Sequence, residues 1–204
     1  MKPKIKSITK SDRKLHASKA DKKLVKRITT SKNWNDLPLG ETTRQKLNDI
    51  STWIGNANSG DTNAETNKDI KNSYKILFSG SRRTGKKLAA KLLGKHYSLD
   101  VYRINLSKLV SKYIGETEKN LNSLFDAAEA SHAILFFDEA DALFGKRTNV
   151  SDAHDRYKAP VISGLMQRLE EYPGLVIFSS KKYNVANNVF TQPLNAVINF
   201  EKAS

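Results

Sequence analysis

With 204 residues, a net charge of +14 and no cysteine, the chain has room for one mixed domain of ~100–150 residues plus extensions, and it forms neither disulfides nor thiolate metal sites. Its four histidines, His16, His96, His132 and His154, are too scattered for a standard metal spacing. No apolar run approaches the ~18 residues of a membrane span or makes the core of a signal peptide, so a soluble, cytoplasmic protein without membrane contact is expected.

The charge is concentrated at one end. Residues 1–32 hold 12 Lys/Arg against Asp12 and Asp21, a net of +10, which leaves +4 for the remainder. Such a block predicts a solvated, poorly ordered arm. Nucleic acid or an acidic protein surface is the partner it would attract, through counterion release and steering. Leu15, Leu24, Val25 and Ile28 allow a short amphipathic helix within it, but no aromatic side chain interleaves the lysines to stack on bases.

Residues 33–72 read as a helical lead-in and a polar loop. Trp34–Leu39 contributes two leucines and a proline, and Glu41–Ile54 places Leu47, Ile50, Trp53 and Ile54 at helical spacing, which predicts a helix packed by one face. Asn56–Asn67 is rich in Asn, Gly, Asp, Thr and Ala without apolar bulk and predicts an exposed loop.

From 73 to 204 strand and helix patterns alternate. Strands are predicted at Tyr74–Ser79, Asp100–Asn105, Ile134–Asp138, Leu175–Ser179 and Ala196–Phe200, and helices at Gly85–Lys95, Thr117–Ala130 and about Asp152–Glu171. Apolar, β-branched strands alternating with helices imply an α/β fold in three layers, a parallel sheet covered on both faces. Ligands of such sheets sit at the carboxyl ends of the strands.

Two motifs fall at that edge. Tyr74–Lys87, YKILFSGSRRTGKK, is a strand, a glycine-bounded loop and a helix start. Backbone amides freed by the turn and the positive end of the helix make an anion site, and Lys86 can reach terminal phosphates. Against the pattern G-x-x-x-x-G-K-[ST], Gly80, Gly85 and Lys86 fit, while Ser81, Arg82, Arg83 and Thr84 fill the loop. Lys87 stands where a magnesium-binding hydroxyl is required. An ordinary turn can share this spacing, so a second motif decides. Ala133–Arg147, AILFFDEADALFGKR, delivers Asp138 and Glu139 to the exposed end of an apolar strand. The first carboxylate can hold magnesium through water and the second can polarise an attacking water; the alternative is a buried strand capped by acids.

Together these residues resemble the AAA+ ATPases, a P-loop NTPase family, over about Trp34–Phe200. GSRRTGKK is similar to the family's Walker A and DEAD at Asp138–Asp141 to its Walker B. SKYIGETEKNL (Ser111–Leu121) matches the segment whose tip, here Tyr113, Ile114 and Gly115, lines a central pore and grips a threaded polypeptide in the family; an exposed surface tyrosine is the plain alternative. FGKR, DAHDRY (Asp152–Tyr157) and LMQRLEEYPGLVIF (Leu165–Phe178) are similar to bacterial AAA+ proteins that accompany contractile, phage-tail-like injection systems. The resemblance implies ATP and Mg2+ as cofactors, Gly80 to Lys87 as the nucleotide-binding loop, Asp138 as metal ligand and Glu139 as catalytic carboxylate. It also implies a homo-oligomer, or a hetero-oligomer with related ATPases, and a protein substrate.

Departures from the family pattern fall on its catalytic elements. Relatives usually read GPPGTGKT, so Arg82 and Arg83 replace Pro and Gly, and Lys87 replaces Thr. Arg83 loses cheap access to positive φ; Lys87 removes a metal ligand and puts a cation beside the metal's place. Where relatives resemble ILATN, Lys181 stands for the asparagine that positions water, and Gln192-Pro193 aligns with a paired arginine that reaches the neighbouring site. The chain stops at Ser204, so the C-terminal helical lid is expected to be absent. An ATP-binding protein, ATPase by descent with impaired hydrolysis, is the expectation. The alternatives are a non-hydrolysing adaptor joined to a ring of active relatives, and a nucleic-acid binder acting through residues 1–32.

Overall fold

Successive side chains of β4 (Ile134–Asp138) enter two different cores. Ile134 and Phe136 join a cluster with Ile50, Phe78 and Leu93, whereas Leu135 and Phe137 join Phe125, Leu169 and Phe178. Strand geometry dictates the alternation, and a strand apolar at every position is buried only where helices cover both faces. The computed structural model, which describes residues 25–59, 74–112, 116–144, 153–181 and 194–201, builds the whole sheet on this plan.

In chain order the other elements are β1 (Val25–Arg27), a 3-10 turn (Trp34–Asp36), α1 (Glu41–Ser59), β2 (Tyr74–Ser79), α2 (Lys86–Tyr97) and β3 (Val101–Asn105). They continue with α3 (Leu106–Lys112), α4 (Glu116–Ala130), α5 (Asp141–Phe144), α6 (Ala153–Glu171), β5 (Leu175–Ser180) and β6 (Ala196–Asn199). The six-stranded sheet runs β1-β3-β4-β5-β2-β6. Leu47, Ile50 and Ile54 of α1 and Leu92 and Leu93 of α2 cover one face; Leu124 and Phe125 of α4 and Leu165 and Leu169 of α6 cover the other. This is the three-layer α/β architecture expected. Five parallel strands finish in register at one rim, with Asn105 opposite Asp138 and Ser79 opposite both Ser180 and Asn199.

Three stretches differ from the expectation. Val25–Arg27, inside the basic segment, is not helical but pairs antiparallel with β3, Val25 opposite Ile104. Residues three apart lie on opposite faces of a strand: Val25 packs against one core and Ile28 is buried in the other, an arrangement no amphipathic helix provides. Arg27 fixes the end of this strand through Nε and Nη2, 2.9 and 2.6 Å from Asp100 Oδ1. Helix α1 runs on to Ser59, into the stretch read as loop, because a helix already anchored by Leu47, Ile50 and Ile54 adds residues at little cost. Finally, α3 follows β3 directly; Asn105 Oδ1 accepts the Lys108 amide at 2.9 Å, capping a helix whose Leu106 and Leu109 are buried. Among the described residues no helix is long and apolar enough to cross a membrane.

Candidate functional site

At the carboxyl end of β2 the backbone turns through Gly80, whose φ is 145°. A Cβ there would lie 2.1 Å from the Phe200 carbonyl oxygen, so the backbone just after β6 leaves space for glycine alone. The loop closes at Gly85, with φ 94° and a would-be Cβ 2.2 Å from Leu37 Cδ1. Between them Arg83 takes φ 65°, the left-handed conformation that costs a non-glycine residue about 1–2 kcal/mol. Thr84 is buried and donates its hydroxyl to the Ser81 carbonyl at 3.0 Å. Lys86, at the first position of α2, is also buried. Its Nζ donates to the Gly80 carbonyl and, at 2.7 Å, to that of Ser81. Burial pulls the Lys86 ammonium below its ordinary value, and the charges of Asp138 and Asp141 oppose that pull.

The acidic turn lies on the same rim. Asp138 ends β4, and its Oδ2 accepts from Arg103 Nε at 2.8 Å and forms ion pairs with Arg103 Nη2 at 2.7 Å and Lys87 Nζ at 3.3 Å. Burial alone would raise the Asp138 carboxyl, but the Arg103 hydrogen bond and the Lys87 charge outweigh it and hold the group below the usual carboxylate range. The Glu139 amide donates to Asp138 Oδ1 at 3.1 Å, and Glu139 itself takes φ 60°. Asp141 ties the turn to β5: its Oδ1 accepts from Ser180 Oγ at 2.7 Å and from the Lys181 amide at 3.1 Å.

Loop and turn face each other across a cleft of about 710 Å³. Lys32, Arg82, Arg83, Lys86, Lys87, Lys91, Arg103 and Lys181 line it against Asp138, Glu139 and Asp141, a net of +5. A cleft with a surplus of one sign and low-dielectric walls concentrates oppositely charged ligands. The chemistry it favours is capture of a polyanion at the start of α2.

A divalent metal fits these residues poorly. Mg2+ takes hard oxygen ligands in near-octahedral order. Yet Asp138 Oδ2 already carries two cations, and the hydroxyl expected after Lys86 is replaced by Lys87.

Every position from Arg82 to Lys87 lines the cleft together with Asp138 and Glu139, while Gly80 and Ser81 supply the carbonyls that hold Lys86. Lys181 lines it too. Tyr113, Ile114, Gly115 and the Gln192-Pro193 pair lie outside the described residues. Arg103 is the residue that motif reading misses. Its signal is the lone charge within VYRIN, an otherwise uncharged strand. Thr30 and Lys32 also reach the cleft from the basic segment, which their position in sequence does not suggest.

Comparison with known proteins agrees with this geometry. An uncharacterized AAA family ATPase, y4kL, of Sinorhizobium fredii is 36% identical over 97 residues, 48% of this chain and 29% of that protein. The peroxisomal ATPase PEX6 of Neurospora crassa is 36% identical over 111 residues, 52% of this chain and 8% of PEX6. Its counterpart in Saccharomyces cerevisiae is 40% identical over 79 residues, 38% of this chain and 8% of that protein. The chain therefore matches less than a third of the length of these relatives. The ATPase family associated with various cellular activities matches residues 76–193, more than half the chain, from β2 through the loop, the acidic turn and β5. With its loop and acidic turn meeting on one rim of a three-layer sheet, the chain belongs to the AAA family of ATPases.

Proposed function

We propose that this chain is an ATP-binding AAA domain that hydrolyses its nucleotide weakly or not at all and acts within an oligomeric, protein-remodelling assembly. The observation that carries the reading is the meeting of Arg82–Lys87 with Asp138 and Glu139 across a cleft of net charge +5. In the proposal, amides of the loop cradle the phosphates and Lys86 turns from the Gly80 and Ser81 carbonyls to the β- and γ-phosphates. Glu139 is the group that would polarise water. Lys181, in place of an asparagine, and Lys87, in place of a hydroxyl, favour binding over turnover, because each adds charge without fixing an in-line attack. Ring assembly and a role beside contractile injection systems rest on resemblance, and the pore-lining role of Tyr113 belongs to the same proposal.

Isothermal titration with ATP, paired with a phosphate-release assay, tests the reading. Saturable binding is expected, weakened about tenfold or more by Lys86→Gln, with phosphate release at background in both proteins. Turnover abolished by Glu139→Gln would instead make the chain a working ATPase. No saturable binding at all would leave the cleft without its assigned ligand.

A further inference from the structure

Lys87 and Arg103 converge on a single oxygen of Asp138, 3.3 and 2.7 Å away. The Asp138 side chain is 17% exposed, whereas that of Lys87 is 47% exposed and lines the cleft. Lys87 thus has its ammonium aimed at the acidic turn and the freedom to swing toward a bound anion, while Arg103, from the neighbouring strand, keeps Asp138 neutralised when it does. A dication entering here would meet a carboxylate already paired twice, inside a lining with five surplus positive charges. Like-charge repulsion in a half-buried cleft is screened far less than in water. A metal-free polyphosphate carries more negative charge than its metal complex and is the better electrostatic match.

We propose that the Lys87 ammonium, positioned by Asp138 and Arg103, takes the place of the divalent cation, so that this chain binds its nucleotide as the metal-free polyphosphate. The inference rests on the nucleotide-binding reading above and specifies which ionic form of the ligand that site takes. A lysine supplies charge but neither the ligand geometry nor the bound water of a metal, so affinity is retained while the means to orient an attack are not.

The test is titration with ATP in excess EDTA and again in excess Mg2+, on the wild type, Lys87→Thr and Lys91→Gln. Lys91 lines the same cleft one helical turn further on, so its variant removes equal charge away from Asp138. The wild type is expected to bind about tenfold tighter in EDTA. Lys87→Thr should invert that preference, and Lys91→Gln should weaken both affinities while moving their ratio far less than Lys87→Thr does. Tighter wild-type binding in Mg2+, or a ratio moved as far by Lys91→Gln as by Lys87→Thr, overturns the proposal and leaves nucleotide binding intact. No ATP binding in either condition removes both readings together.

Discussion

Arg103 on β3 reaches diagonally across the adjacent parallel strand to Asp138 at the end of β4, two register positions on; its Nε donates to one carboxylate oxygen at 2.8 Å, and its Nη2 lies 2.7 Å from that same oxygen as an ion pair. Removing one partner of a half-buried, charge-assisted pair leaves the other to bear the desolvation cost. Arg103→Met should destabilise the fold by about 2 kcal/mol, read as a lower urea midpoint at unchanged slope. A loss no greater than a surface substitution would mean that the pair contributes nothing to stability.

Asp138 also sets an acid limit. Its folded carboxyl lies below the ordinary range because the Arg103 hydrogen bond and the Lys87 charge outweigh burial, so its folded pKa is lower than its unfolded value of about 3.9. The stability it contributes is complete above that unfolded value and is lost as pH falls through the folded one. Unfolding midpoints followed from neutral pH to about pH 3 should drop steeply below about pH 4 in the wild type and less steeply in Asp138→Asn. Identical slopes would locate the acid sensitivity elsewhere.

Arg83 holds φ 65° in the phosphate-binding loop. Glycine relieves a strain of about 1–2 kcal/mol but loosens the unfolded chain by about 0.4–1 kcal/mol. Arg83→Gly should therefore gain about 0.5 kcal/mol, and Arg83→Val, whose branched side chain resists this conformation, should lose about 1–2 kcal/mol. Thermal or denaturant unfolding of the two variants side by side measures the difference, and the reverse order would contradict the left-handed backbone.

The two loop glycines should respond differently. Alanine at Gly80 would press a Cβ to 2.1 Å from a backbone oxygen of Phe200, whereas at Gly85 the obstacle is the Cδ1 tip of Leu37. Backbone held by the Phe200 amide's bond to the Ser79 carbonyl at 2.7 Å yields less readily than a side-chain end, so Gly80→Ala should cost ~3 kcal/mol or more and Gly85→Ala less. Combining Gly85→Ala with Leu37→Ala should cost at least about 1 kcal/mol less than the sum of the two. Additive losses would show that Leu37 is not the obstacle.

Much of this site is legible from the chain alone because its parts are short and contiguous. Gly80, Gly85 and Lys86 need their relative spacing, and Asp138 and Glu139 need four apolar residues before them; both patterns survive in a string of letters. The parallel strands at Tyr74–Ser79 and Ile134–Asp138 are equally plain, since burial on both faces leaves the apolar runs Ile76–Phe78 and Ile134–Phe137. Arg103 is different. Its role exists only because β3 and β4 pair with Asn105 opposite Asp138, a register no local pattern encodes. Strand β1 escapes for a related reason: three residues with two exposed cations show no period, and their conformation comes from the β3 edge they complete. Lys32 and Thr30 follow β1 into the cleft, so their place in the site is invisible until that strand is seen.

That small strand has a practical consequence for anyone trimming the protein. A boundary drawn after Lys32 would strip the N-terminal charge and, with it, the outer border of the sheet, baring unpaired amides and carbonyls of β3 that invite self-association. Cutting after Leu24 instead takes away nine Lys/Arg and both Asp12 and Asp21, most of the surplus, while sparing Val25–Arg27. Only the shorter cut separates what the cations do from what the architecture requires.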